Sequence, residues 1–140
     1  VKRLSTEGRS ENMRRIQSKH TKPEIIIRRL VYHMGYRYRL HRRDLPGKPD
    51  LVFPGKMKVI FVNGCFWHQH SSSGCKIAHK PKTNLDYWLP KLERNIARDL
   101  NNRKLLSQLG WRYLTIWECE TKDASHFQGK ISEFLDNDAQ

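Results

Sequence analysis

Residues 50–63 read DLVFPGKMKVIFVN, two apolar runs separated by a Pro-Gly-Lys turn. Pro and Gly reverse a chain readily, so DLVF and MKVIFV pair as the two arms of a hairpin. The second arm, Lys58 to Val62, is almost wholly apolar, as a strand covered on both faces must be, and it takes the centre of a sheet. Downstream, Leu85 to Leu109 carries a helical pattern through Leu92, Ile96, Leu100 and Leu109, with Pro90 either opening or kinking the helix. Gly110 ends it, and WRYLTIW at 111–117 makes another strand.

Upstream, TKPE at 21–24 resembles a capping box, with Glu24 three residues after Thr21 and Pro23 tolerated in the first turn. Ile26, Ile27, Leu30, Val31 and Met34 follow at helical spacing up to Gly35. Tyr36 to His41 alternates apolar with basic residues, which is strand period. A short helix from Ser10 carries Met13 and Ile16 on one side, and a last helix falls near His126 to Leu135. The order is helix, strands, helix, strand, helix: one α/β domain over 10–140 with a mixed sheet flanked by helices, preceded by a flexible basic arm at 1–9.

The 140 residues hold 27 Lys and Arg against 14 Asp and Glu, a formal net charge of +13. The imbalance is uneven, because six of the acids and only two of the bases lie from Glu118 onward. A body this basic reads as a nucleic-acid binder. The bases spread over several elements, not along one amphipathic helix, which argues against a membrane surface. No run of about 18 apolar residues is present to span a bilayer. No export leader is visible, and three cysteines, an odd number, fit reduced thiols in a cytosol better than a disulfide framework.

The hairpin runs directly into GCFWHQHSSSGC at 64–75, which supplies Cys65, His70 and Cys75 at intervals of five. Cys119 follows the WRYLTIW strand. If that strand lies beside Val59–Val62, Cys119 arrives next to Cys65. Three thiolates and one imidazole make the closed tetrahedral shell that structural zinc prefers. His68 and His79 are competing donors.

PGKPDLVF, then VIFVNGCFWHQH, then a helix ending LGWRYLTIWEC closely resemble the very-short-patch mismatch repair endonucleases, over Ser10 to Cys119. The resemblance implies a three-layer restriction-endonuclease-like fold of the PD-(D/E)xK nuclease superfamily with structural zinc. It implies Mg²⁺-dependent nicking of one DNA strand, 5′ to the thymine of a T·G mismatch formed when 5-methylcytosine deaminates. A restriction-type endonuclease, or a zinc-stabilised DNA-binding protein without turnover, would use the same scaffold. A bacterial, cytoplasmic, nucleoid-associated enzyme is expected. A nicker of one strand needs no dimer, so a monomer is expected, and MutL- and MutS-type repair proteins are candidate partners.

Asp50 is the first candidate for the chemistry. It is the one carboxylate between Asp44 and Asp86, and a nuclease needs a hard oxygen ligand for Mg²⁺. The usual nuclease pattern puts an acid and a lysine on the next strand, where this chain has Val62 and Asn63. The resemblance implies that the Val62 main-chain carbonyl completes the Mg²⁺ site. Better-known members carry His where this chain has Asn63, and Asn cannot take a proton near neutrality. That leaves His68 as general acid or base. Asn95 and Asp99 share one face of the long helix, and the resemblance makes Asp99 the partner that orients His68. Glu24 resembles the family's outer metal-site carboxylate, although a capping box explains it equally. Phe66 and Trp67, with Met13, correspond to residues that wedge into DNA beside the mismatch. Lys91 matches a family residue near the mismatch. Arg94 and Arg98 with Lys91, and Arg14, Arg15 and Lys19, form basic clusters suited to phosphates.

Overall fold

The Pro-Gly-Lys stretch does reverse the chain, as a 3-10 turn over Pro54–Lys56 closed by a left-handed Met57 at φ 55°. The protein is described here by a computed structural model covering residues 21–65 and 83–137. The turn joins β2 (Leu51–Phe53) to β3 (Lys58–Asn63) in antiparallel register, with Leu51 opposite Ile60 and Val52 opposite Val59. Before them come α1 (Lys22–His33) and β1 (Arg39–Leu40), the latter antiparallel to β2. After β3 the chain forms α2 (Leu85–Gln108), β4 (Arg112–Trp117) and α3 (Ala124–Asp136). β4 lies parallel to β3, from Lys58 opposite Arg112 to Asn63 opposite Trp117, giving a mixed sheet in the order β1-β2-β3-β4.

Alternation along these strands sorts their side chains onto two faces. Leu51, Phe53, Ile60 and Ile116 pack with Ile27 and Val31 of α1 and Phe127, Ile131 and Leu135 of α3. On the other face Val52, Val59 and Phe61 pack with Leu106 of α2, Leu45 and Trp111. Helices therefore cover both faces, and β3 is buried at all but one of its six positions. Gly47 is confined by this second core: a Cβ there would come within 3.0 Å of the Phe61 ring and 3.2 Å of Asn102.

Two expectations change in detail. Burial alternates from Tyr36 onward, but only Arg39 and Leu40 enter the ladder. Tyr38 turns its ring edge-on to Phe53 and donates its hydroxyl to the Arg28 carbonyl at 2.9 Å, and His41 adopts a left-handed φ of 51° that ends the strand. In α2, Pro90 lies inside the helix and does not open it, and the buried residues are Leu92 and Leu106, whereas Leu100 and Leu109 are 68% and 57% exposed.

Lys58 is 3% exposed, and its ammonium reaches the carbonyls at the end of α3: Phe134 at 2.7 Å, Leu135 at 3.4 Å and Asn137 at 2.7 Å. A cation there also meets the negative end of the helix dipole. Lys58→Met should cost about 2–3 kcal/mol, since it removes charge-assisted bonds and leaves buried carbonyls without their donor. Urea unfolding of the two proteins measures this, and a loss under about 0.5 kcal/mol would show that water replaces the ammonium.

Candidate active site

Asp50 sits at the entry to β2, directly after Pro49. Its Oδ2 accepts the Val62 N–H at 2.6 Å. β2 pairs with β3 only as far as Ile60, so the Asp50 carboxylate serves as acceptor to the β3 backbone beyond that point. Val62 thus meets Asp50 through its amide N–H, which leaves open the role that the resemblance implies for its carbonyl.

Glu24 reaches the same place from α1. Thr21 caps the helix by accepting the Glu24 N–H at 3.4 Å, which fulfils one half of the expected capping box. The Glu24 carboxylate turns inward instead of supplying the other half. Its Oε2 accepts from Arg28 at 3.2 Å, its Oε1 lies 2.9 Å from His41 Nε2, and the residue is 2% exposed. Donor atoms of Glu24, His41 and Asp50 all lie within 4.8 Å of one another. The Asp50 carboxyl is pushed up to about 7, chiefly by burial and also by the charge and hydrogen bond of Glu24, against the lowering effects of the Val62 amide and Arg103. Two carboxyls this close and this dry cannot both ionise without a compensating cation. That, and the chemistry of the donors, fits a divalent metal.

Arg103 of α2 supplies part of the compensation. Its guanidinium lies 3.5 Å above the centre of the Phe61 ring and 5.6 Å from that of Tyr113. Burial lowers its pKa, while the charges of Asp99, Tyr113 and Asp50 favour the protonated form. Asp99 is half-buried and stands one turn before Arg103. That i, i+4 spacing was the available signal for Arg103. His41 carried no comparable signal, since nothing local announces a left-handed residue folded back onto Glu24.

Just beyond this same end of β3 the chain brings Cys65 to Cys119. The Cys119 N–H donates to Cys65 Sγ at 3.4 Å, and the Cys65 N–H donates to the Glu118 carboxylate at 3.3 Å. Cys65 is buried and Cys119 half-buried. Asn63, 5% exposed, lies between this pair and the carboxylates on β3. On α2, Lys91 donates to the Tyr87 hydroxyl at 3.4 Å, and Arg94 and Arg98 are exposed. Met13, Arg14, Arg15, Lys19, Phe66, Trp67, His68, His70, Cys75 and His79 lie outside the described residues.

Residues 2–74 match the family described as DNA mismatch endonuclease Vsr. The chain is 48% identical over 134 residues to the type II nicking enzyme V.XorIIP of Xanthomonas oryzae pv. oryzae, covering 96% of each. It is 41% identical over 132 residues to the type II nicking enzyme V.NmeAIP of Neisseria meningitidis, covering 94% of this chain and 92% of that protein. To the DNA mismatch endonuclease Vsr of Escherichia coli it is 40% identical over 111 residues, covering 79% of this chain and 69% of the relative. With a carboxylate cluster at one end of its central strand, the chain is a DNA endonuclease and belongs to the Vsr family.

Proposed function

We propose that the protein nicks one strand of duplex DNA 5′ to the thymine of a T·G mismatch, using Mg²⁺, as in repair of deaminated 5-methylcytosine. The observation that carries the reading is the half-buried Asp50 beside the buried Glu24, at one end of the central strand of a basic α/β domain of this family. When bound, Mg²⁺ would polarise the scissile phosphate and make water a better nucleophile. In this reading Asp50 and the Val62 main-chain carbonyl would hold the ion, and Glu24 would orient the water. Water adds to phosphorus as the bond to the leaving sugar oxygen breaks. His68 moves the proton, with Asp99 fixing its ring. Asn63 can hold a phosphate oxygen or a water by hydrogen bonds but takes no proton.

Recognition falls to other parts. Phe66, Trp67 and Met13 act as wedges, because a mismatched step costs less to unstack than a paired one. Lys91 lies near the mismatch, and Arg14, Arg15, Lys19, Arg94 and Arg98 grip phosphates without reading sequence. Cys65, His70, Cys75 and Cys119 hold a structural zinc that closes the loop after β3, a role supported by the contact between Cys65 and Cys119.

A strand-resolved assay on T·G, G·C and T·A duplexes, with Mg²⁺ or with EDTA, tests the reading. The expected result is a nick confined to the thymine strand of the T·G duplex and absent in EDTA. Cleavage of both strands of fully paired DNA would mark a restriction-type enzyme instead. Binding without cleavage at any metal concentration would leave a DNA-binding protein.

A further inference from the structure

We propose that His41 is a direct donor to the divalent cation, making the metal site Glu24–His41–Asp50 and biasing it toward Mn²⁺ or Co²⁺ over Mg²⁺. The inference rests on the endonuclease reading and departs from it in one point, bringing Glu24 to the ion directly; to that reading it adds His41 as a donor and an ion preference.

Three observations place His41 there. Its Nε2 is 2.9 Å from Glu24 Oε1, and the donor atoms of all three residues fall within 4.8 Å. Two donors bound side by side at about 2.1 Å in octahedral geometry stand about 3.0 Å apart, so this spacing already suits neighbouring positions on one ion. The residue is also fixed from both sides. Its N–H donates to the Asp50 carbonyl at 3.3 Å, tying its backbone to the residue that carries the principal carboxylate. Its φ of 51° is a conformation that costs energy for a residue with a Cβ, and it directs the imidazole back across β1 toward α1 instead of along the strand. Finally, the side chain is only 14% exposed, beside a Glu24 side chain that is 2% exposed. Neither group is a surface ligand that water would hold as readily.

Chemistry sets the preference. A site of carboxylates, carbonyls and water suits Mg²⁺, whereas an imidazole nitrogen favours the first-row transition ions. His41→Gln separates ligation from support. The glutamine amide can still donate to Glu24 from near the Nε2 position, but it offers a metal only a hard oxygen. Calorimetric titration with Mn²⁺ and with Mg²⁺ should show His41→Gln weakening Mn²⁺ binding about tenfold or more and Mg²⁺ binding by less than about threefold. Equal weakening of both ions, or of neither, would reduce His41 to a prop for Glu24 and overturn the proposal.

A second measurement needs no variant. Pulsed electron paramagnetic resonance of wild-type protein loaded with Mn²⁺ should show a directly coordinated nitrogen, and its absence would also overturn the proposal. Nicking of the T·G duplex by the same wild-type preparation keeps the two conclusions separate. Nicking without a coordinated nitrogen removes His41 alone. A coordinated nitrogen that is lost in His41→Gln, without nicking, sustains His41 and removes the nickase. Wild type that binds neither ion overturns both.

Discussion

Asp50→Asn should lower nicking about a thousandfold or more, roughly 4 kcal/mol of barrier, while making the metal-free protein more stable at pH 8. The two effects share one cause. Folding lifts this carboxyl from its ordinary value of 3.8 to about 7, chiefly by burial and then by Glu24 beside it. Between about pH 4 and pH 7 the native state therefore holds a proton that the unfolded chain has released. Stability contributed by that proton is complete at low pH and is lost as pH rises through this window. The loss runs at up to about 1.4 kcal/mol per pH unit. Asparagine cannot ionise, and it keeps an oxygen for the Val62 amide, so the variant escapes the penalty. Melting in EDTA should show Asp50→Asn above wild type at pH 8, with the gap closing toward pH 4. Mg²⁺ should then raise the wild-type midpoint and leave the variant unmoved. Normal turnover by the variant would remove Asp50 from the mechanism, and a gap independent of pH would remove the buried-charge account.

The second large effect concerns zinc. Purified protein should carry about one zinc per chain, and Cys119→Ser should cost on the order of 3 kcal/mol, about a quarter of the binding free energy of a structural zinc site. For a chain of this length that corresponds to a fall of about 10 °C in melting temperature. Cys65 and Cys119 end adjacent parallel strands, so the site would fasten β3 to β4 just beyond Asn63 and Trp117. Elemental analysis of wild type decides the matter directly, because a zinc content near zero leaves the cysteines as small buried hydrophobes. With zinc present, Cys119→Ser should also reduce nicking, since Phe66 and Trp67, the wedges proposed above, follow Cys65 immediately.

What could be read from the sequence was what is encoded locally. The hairpin announced itself through Pro54 and Gly55 between two apolar runs, and the long helix through its length and Gly110. The meeting of Cys65 and Cys119 followed from placing two strands side by side, which their apolar character invited. Asp50 stood out by the scarcity of carboxylates around it. His41 and Arg103 did not stand out, because their importance arises from approach across the fold: one bends back from a strand end to Glu24, the other descends from α2 onto Phe61 near Asp50. The strand expected over Tyr36 to His41 shrank for a similar reason. Its alternation was real, but the tyrosines used it to pack, with Tyr38 against Phe53 and the Arg28 carbonyl. In α2 the apolar pattern signalled a helix correctly, and of its members Leu92 is buried while Leu100 and Leu109 are exposed.

The ammonium that β3 sends to the carbonyls of Phe134, Leu135 and Asn137 bears on biosynthesis. Its acceptors lie 76 to 79 positions later in the chain. While a nascent polypeptide is still emerging from the ribosome, that charge has only water to hold it, and water is what the middle strand must shed to be sandwiched. The Lys58 ammonium therefore reaches its carbonyl partners only once α3 has been made.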